Sequence, residues 1–208
     1  MKPTTLDLPH NRSSALFDEK DGFSERFKES IDLWSTALLN DDGIMHPIKE
    51  ESNHVNSKII AKQKGIFAGR GLIDRICNYW APELQLKWNF TDGSPVSNGD
   101  VLVEIMGDKT QLLKIERPLL NILGRLSGIA TTTHKWSNKI NIPIASTRKT
   151  TWGLLDKWAV HLSGGLTHRL TRNDALKIKA NDLASMDDSS LENDKKIAQI
   201  IQTLELDD

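Results

Sequence analysis

The run Ser146-Thr147-Arg148-Lys149-Thr150-Thr151 sets a guanidinium and an ammonium side by side among hydroxyls, directly after the apolar stretch Ile142 to Ser146. That stretch reads as a short strand. Polar side chains at the C-terminal end of a parallel strand face the mouth in which α/β proteins hold ligands. Arg148 offers a planar fork suited to carboxylate or phosphate, and Lys149 a movable point charge. On these residues alone the competing reading is a solvated basic turn. A second cluster, Gly164-Gly165-Leu166-Thr167-His168-Arg169, joins two glycines that permit close backbone approach to a hydrogen-bonding imidazole and another guanidinium. Arg169 could bind a carboxylate; His168 taken alone is more often a structural histidine. A third, Lys177-Ile178-Lys179-Ala180-Asn181, ends the next expected strand. Strand alternation puts both lysines on one side, with Lys179 nearer the C-terminal end. In the fourth, Glu116-Arg117-Pro118, Arg117 sits in an apolar helix, where the plain alternative is a paired, half-buried structural arginine.

The charge distribution agrees with anion chemistry. Net charge is only −1 over 208 residues, yet Arg117 to Lys179 holds 11 Lys or Arg against Asp156 and Asp174 alone. The segment from Ala180 to Asp208 is acidic, with eight Asp or Glu against two Lys. A central stretch this basic expects anionic company. With 38% hydrophobic and 26% charged residues the composition excludes a largely disordered chain. No apolar run reaches the roughly 18 residues of a membrane span. Cys77, the single cysteine, excludes an internal disulfide and a cysteine-built zinc site. His46, His54, His134 and His161 lack metal-ligand spacing. The six tryptophans read as core or interface aromatics rather than a base-stacking platform, so nucleic acid is not the expected partner. Met1 to His10 has no basic-then-apolar signal region, and a cytoplasmic protein is expected.

These clusters need elements to position them. Residues 1–22 are polar without a clear period and read as a loose lead-in. Phe23, Phe27, Ile31, Trp34 and Leu38 step by three and four, which predicts an amphipathic helix ending at Asn40-Asp41-Asp42-Gly43. Ser57 to Gly69 reads as a strand pair broken at Gly65, Leu72 to Trp80 as a short helix, and Leu84 to Phe90 and Val101 to Ile105 as strands. Residues 23–110 therefore form an α+β domain with a largely antiparallel sheet. Residues 111–208 read differently: leucine-rich helix interrupted around Pro118, strand 142–146, helix 154–162, strand 175–178, then a capping box at Ser189-Ser190-Leu191-Glu192 and a final amphipathic helix. Strand–helix–strand–helix means a parallel layer, here the first part of an open α/β barrel. With two strands visible, the expectation is an incomplete barrel.

Seven short motifs fall in the order and spacing of one family: Glu116-Arg117, Leu120-Asn121, Ser127-Gly128-Ile129-Ala130-Thr131, Thr147-Arg148-Lys149-Thr150, Gly164-Gly165, His168-Arg169 and Lys179-Ala180-Asn181. The chain resembles the quinolinate phosphoribosyltransferases, the carboxylating nicotinate-nucleotide pyrophosphorylases, from about Ile31 to Asn181. The resemblance implies a sandwich-like N-terminal domain followed by an open α/β barrel. It also implies transfer of phosphoribose from phosphoribosyl pyrophosphate to quinolinate with loss of carbon dioxide, giving nicotinate mononucleotide in NAD biosynthesis. Arg148, His168, Arg169 and Lys179 would line the quinolinate pocket with Thr147, and Lys149 would reach phosphoribosyl pyrophosphate. Lys149 and Lys179 would be the catalytic cations, and Arg117 would enter the neighbouring site of a homodimer. Magnesium would arrive largely on phosphoribosyl pyrophosphate, with no protein ligand for it in this chain.

Two stretches depart from the family pattern. Trp152 stands where a proline is usual, and Lys179 is followed by Ala180, Asn181 and Asp182 where acidic-Asn-His is usual. They leave open a related enzyme for another anionic heterocycle. The acidic residues and glycine-rich phosphate loop of the family's C-terminal portion have no counterpart in Asp182 to Asp208. That favours a chain that binds quinolinate weakly without turnover, or a non-catalytic anion-binding relative.

Overall fold

The helical period that begins at Phe23 becomes α1 (Glu25–Asp41) in the computed structural model, which describes residues 10–49, 53–171, 174, 178–186 and 192–205. Ser24 accepts a hydrogen bond from the Phe27 amide at 3.3 Å, capping the helix. Phe27, Ile31 and Leu39 are buried. The chain divides into two units, Met1–Leu170 and Thr171–Asp208.

In the first unit, the stretch before α1 departs from the loose lead-in expected of it. Residues 13–15 form a 3-10 turn, and β1 (Phe17–Asp18) pairs with β2 (Gly22–Phe23) in a small hairpin. Leu16 is fully buried, and Phe17, Phe23 and Phe27 gather around Trp158 with ring centroids 5.5–5.7 Å away. Part of what fixes the stretch, Trp158 and Thr167, lies more than a hundred residues away, so no local period marks it.

The pairing is antiparallel as expected, but the strand pair read in Ser57 to Gly69 does not form, since its two halves join different sheets. β3 (His54–Ile60) and β5 (Gln85–Trp88) both pair antiparallel with β7 (Val101–Asp108), which lies between them. β4 (Gly65–Ile66) pairs with β6 (Pro95–Val96). Between β4 and β5 runs α2 (Arg70–Trp80), with Leu72, Ile73, Ile76, Cys77 and Trp80 buried. Asp92 caps it from a distance, its carboxylate accepting from the Gly69 and Arg70 amides at 2.6 and 2.9 Å. Burial holds this carboxyl above the usual carboxylate range, and those amide bonds offset only part of the rise.

Pro118 does not interrupt the leucine-rich segment: α3 (Lys109–Ser137) runs unbroken through it. A proline inside a helix costs about 3 kcal/mol. Ile115, Leu119, Ile122 and Leu126 are all buried around it, at roughly 1.5–3 kcal/mol each, so burial wins.

The parallel layer is shorter than expected. Strand 142–146 is reduced to one parallel bridge, Ala145 with Leu166, held by Ser146 N to Leu166 O and Leu166 N to Ile144 O, both 2.8 Å. Between the two segments lies α4 (Leu154–Leu162), packed against α3. The parallel partner is thus Leu166, ahead of the strand expected at 175–178, whose residues 175–177 lie outside the described residues. A parallel bridge with its crossover helix, together with the helices and antiparallel sheets, makes this an α/β chain.

The second unit contains α5 (Ala180–Ala184) and α6 (Asn193–Glu205). The last helix is the final amphipathic helix expected from the sequence. Of the capping box expected before it, residues 189–191 lie outside the described residues.

Candidate active site

The Ala145–Leu166 bridge sets two chain segments side by side and lets both leave it in the same direction. The first becomes the loop Thr147 to Gly153 and the second the loop Thr167 to Leu170. Thr147, Arg148, Lys149, His168 and Arg169, chosen from sequence at two separate places, therefore emerge from neighbouring strand ends.

In the first loop Thr147 Oγ1 accepts from the Lys149 amide at 2.7 Å, a turn that leaves Arg148 at its tip. Arg148 and Lys149 are both exposed. Thr150 Oγ1 donates to Gly153 O at 3.1 Å, closing the loop just before α4.

His168 is the one non-glycine residue with positive φ among the described residues, at 56°. An L residue there is strained by its Cβ, so its surroundings must hold it. They do so from two sides. Thr167, fully buried, accepts the Arg12 amide at 2.7 Å, and the His10 ring lies 5.6 Å from that of His168. From α4, Lys157 donates to the carbonyls of Thr167 and Arg169, at 2.8 and 3.2 Å. Arg169 is buried at 7% exposure.

Sequence reasoning missed the residues beneath these loops. Asp156 receives both Arg125 donors at 2.8 Å and the Trp152 amide at 3.0 Å. The Arg125 guanidinium lies 4.8 Å from the centre of the Trp152 ring, which stacks on Trp34 at 5.9 Å. Hydrogen bonding to Asp156 raises the Arg125 pKa. Trp152 thus serves as a packing plate under the loop. The one hint in the sequence was the charged pair Asp156-Lys157 inside the otherwise apolar run Leu154 to Leu162.

Two expected site residues are not part of these loops. Arg117 is 76% exposed on α3 and donates to Asp42 at 2.7 Å, on the rim of a cleft of 780 Å³ lined by residues 42–49 and Leu113. Lys179 belongs to the second unit. It is exposed at the start of α5, where its amide donates to Asp182 at 2.7 Å. Asp182, one of the departures from the family pattern, therefore caps this short helix.

A cavity of 1190 Å³ opens between α1 and α2. Its arginines are already engaged, Arg75 with Asp32 at 2.6 Å and Arg70 with Asp74 at 3.8 Å, so it offers an anion less than the strand-end loops do. Among the described residues no group of three or more His, Cys, Asp or Glu is placed to hold a metal ion. Asp156, the acid beneath the loops, is taken up by Arg125. Nor is any helix among them long and apolar enough to cross a membrane.

Comparison with known proteins gives a consistent family. The models of the quinolinate phosphoribosyl transferase N-terminal and C-terminal domains match residues 32–127 and 129–205. A probable carboxylating nicotinate-nucleotide pyrophosphorylase of Bacillus subtilis is 39% identical over 148 residues, 69% of this chain and 51% of that protein. A probable enzyme of the same name from Archaeoglobus fulgidus is 36% identical over 137 residues, 62% of this chain and 52% of that protein. The chain spans about half the length of these curated relatives. Among solved structures, NadC from Streptococcus pyogenes superposes with a TM-score of 0.70 at 29% identity, over 83% of this chain and 64% of its own. A nicotinate-nucleotide pyrophosphorylase from Ehrlichia chaffeensis gives 0.71 at 28% identity, over 86% and 66%.

Proposed function

The chain belongs to the quinolinate phosphoribosyltransferase family, and from that premise we propose that its strand-end loops bind quinolinate for phosphoribosyl transfer with decarboxylation. The observation that carries the reading is the parallel bridge, which makes neighbours of the loops bearing Arg148-Lys149 and His168-Arg169. Quinolinate carries two adjacent carboxylates. Arg148 and Arg169 are suited to hold them as charge-assisted hydrogen bonds, with His168 donating alongside. Lys149, exposed next to Arg148, is the ammonium for phosphoribosyl pyrophosphate, and Lys179 adds a cation to the quinolinate side.

In the reaction the bond from the anomeric carbon to pyrophosphate breaks and a bond from the pyridine nitrogen forms. The 2-carboxylate then leaves as carbon dioxide, its electron pair stabilised by the pyridinium before a proton takes its place at carbon 2. No protein nucleophile is needed. The chain's residues work by positioning and by neutralising charge as it develops. The described residues do not form a magnesium-holding set, so no step is assigned to them through that ion; it belongs with phosphoribosyl pyrophosphate in this reading. The working form is a homodimer in which Arg117, exposed and remote in sequence from the loops, enters the neighbouring site. The setting is the cytoplasm, without membrane or nucleic acid.

Calorimetry on two variants tests the division of labour. Arg148→Ala is expected to lose about 1.5–3 kcal/mol of quinolinate binding, the scale of a charged hydrogen bond, and less for phosphoribosyl pyrophosphate. Lys149→Ala is expected to reverse that order. Unchanged quinolinate affinity in Arg148→Ala would contradict the reading.

A further inference from the structure

The most enclosed cation in this region faces inward. Lys157 is the fourth residue of α4 and only 3% exposed. Its ammonium donates to Thr147 O at 3.1 Å, Thr167 O at 2.8 Å and Arg169 O at 3.2 Å. These carbonyls come from both strand-end loops, and two of them flank His168 with its positive φ. Helix stability does not explain a lysine here, since a cation in the first turns opposes the helix dipole. Burial opposes it too, because a charge is costly to remove from water unless polar groups receive it. A compact ammonium with three donors suits carbonyls that converge from two directions.

We propose that Lys157 is a positioning residue that fixes the Arg148-Lys149 loop against the His168-Arg169 loop. It thereby sets the site's preference for a pyridine with two adjacent carboxylates over one with a single carboxylate. Two cations on separate loops can read two carboxylates only if the spacing between the loops is held. A ligand with one carboxylate needs only one of them. The ligand half of this inference rests on the quinolinate reading; the loop half does not.

The experiment uses the 208-residue chain with Lys157→Met and, as a second variant that retains a side-chain donor, Lys157→Gln. Amide hydrogen exchange is measured over 147–149, 167–169 and the β3–β7 sheet. Quinolinate and nicotinate affinities are measured by calorimetry. Both loops are expected to exchange about tenfold faster together while the sheet is unchanged, the signature of local opening. The quinolinate preference, about tenfold or more in the parent, is expected to shrink to about threefold or less. A merely structural lysine would leave that ratio alone. The proposal is overturned if a folded variant keeps the exchange of either loop, if the ratio holds in a parent that discriminates, or if neither variant folds, which would make Lys157 a core residue. If the parent binds neither pyridine, the quinolinate reading and the specificity role fail, and exchange alone decides the loop role.

Discussion

Arg148, Lys149, His168 and Arg169 could be singled out in the sequence because basic and imidazole side chains just after expected strand ends are recognised by type and place. Lys157, Asp156 and Arg125 could not. Asp156 and Arg125 lie 31 residues apart, and the partners of Lys157 are backbone carbonyls 10 and 12 residues away, which leave no signature in side-chain identity. The Arg125–Asp156 pair also makes an asymmetric prediction. Asp156 is 6% exposed and Arg125 31%, so each responds differently to losing the other. Arg125→Ala strands a buried carboxylate and is expected to cost about 3–5 kcal/mol. Asp156→Asn leaves an arginine that can turn to water, and is expected to cost less. Urea unfolding of both variants checks this; equal losses would contradict it.

At the scale of elements, the amphipathic helices and antiparallel strands followed from periodicity, since each buries one face. The failures have physical causes. Helix α3 passes through Pro118 because apolar burial on both sides outweighs one lost hydrogen bond. Strand 142–146 contracts to a bridge, its pairing with Leu166 being set by α4 rather than by local pattern. Residues 10–23 fold through contacts with Thr167 and Trp158, which no local window contains. Helix α2 carries a pH prediction through Cys77. Burial, helped by the nearby Asp74 carboxylate, pushes its thiol from 9.0 up to about 12. The folded state then holds the thiol proton above the pH at which the unfolded state releases it. Stability is therefore insensitive to this group below pH 9 and falls as pH rises from 9 towards 12. The slope approaches about 1.4 kcal/mol per pH unit. Urea midpoints of the parent and Cys77→Ala between pH 8.5 and 10.5 are expected to diverge, the parent losing more, on the order of one such step. Parallel curves would contradict it.

At the scale of the whole molecule, charge and fold point the same way. The basic stretch from Arg117 to Lys179 contains both strand-end loops. In α/β folds strand ends are where ligands collect, and a net excess of cations there favours a substrate pair rich in carboxylate and phosphate. The family of the chain was legible from seven motifs in register. The bridge that makes neighbours of the Arg148-Lys149 and His168-Arg169 loops was legible only in outline. The central claim is that the two adjacent carboxylates of one pyridine are shared between the two loops. A crystal structure of the chain with quinolinate tests it most directly. The expected result is one carboxylate within hydrogen-bonding distance of the Arg148 guanidinium and the other within reach of Arg169 and His168. Quinolinate bound instead between Asp42 and Arg117, or in the cavity between α1 and α2, with both loops empty, would contradict the account.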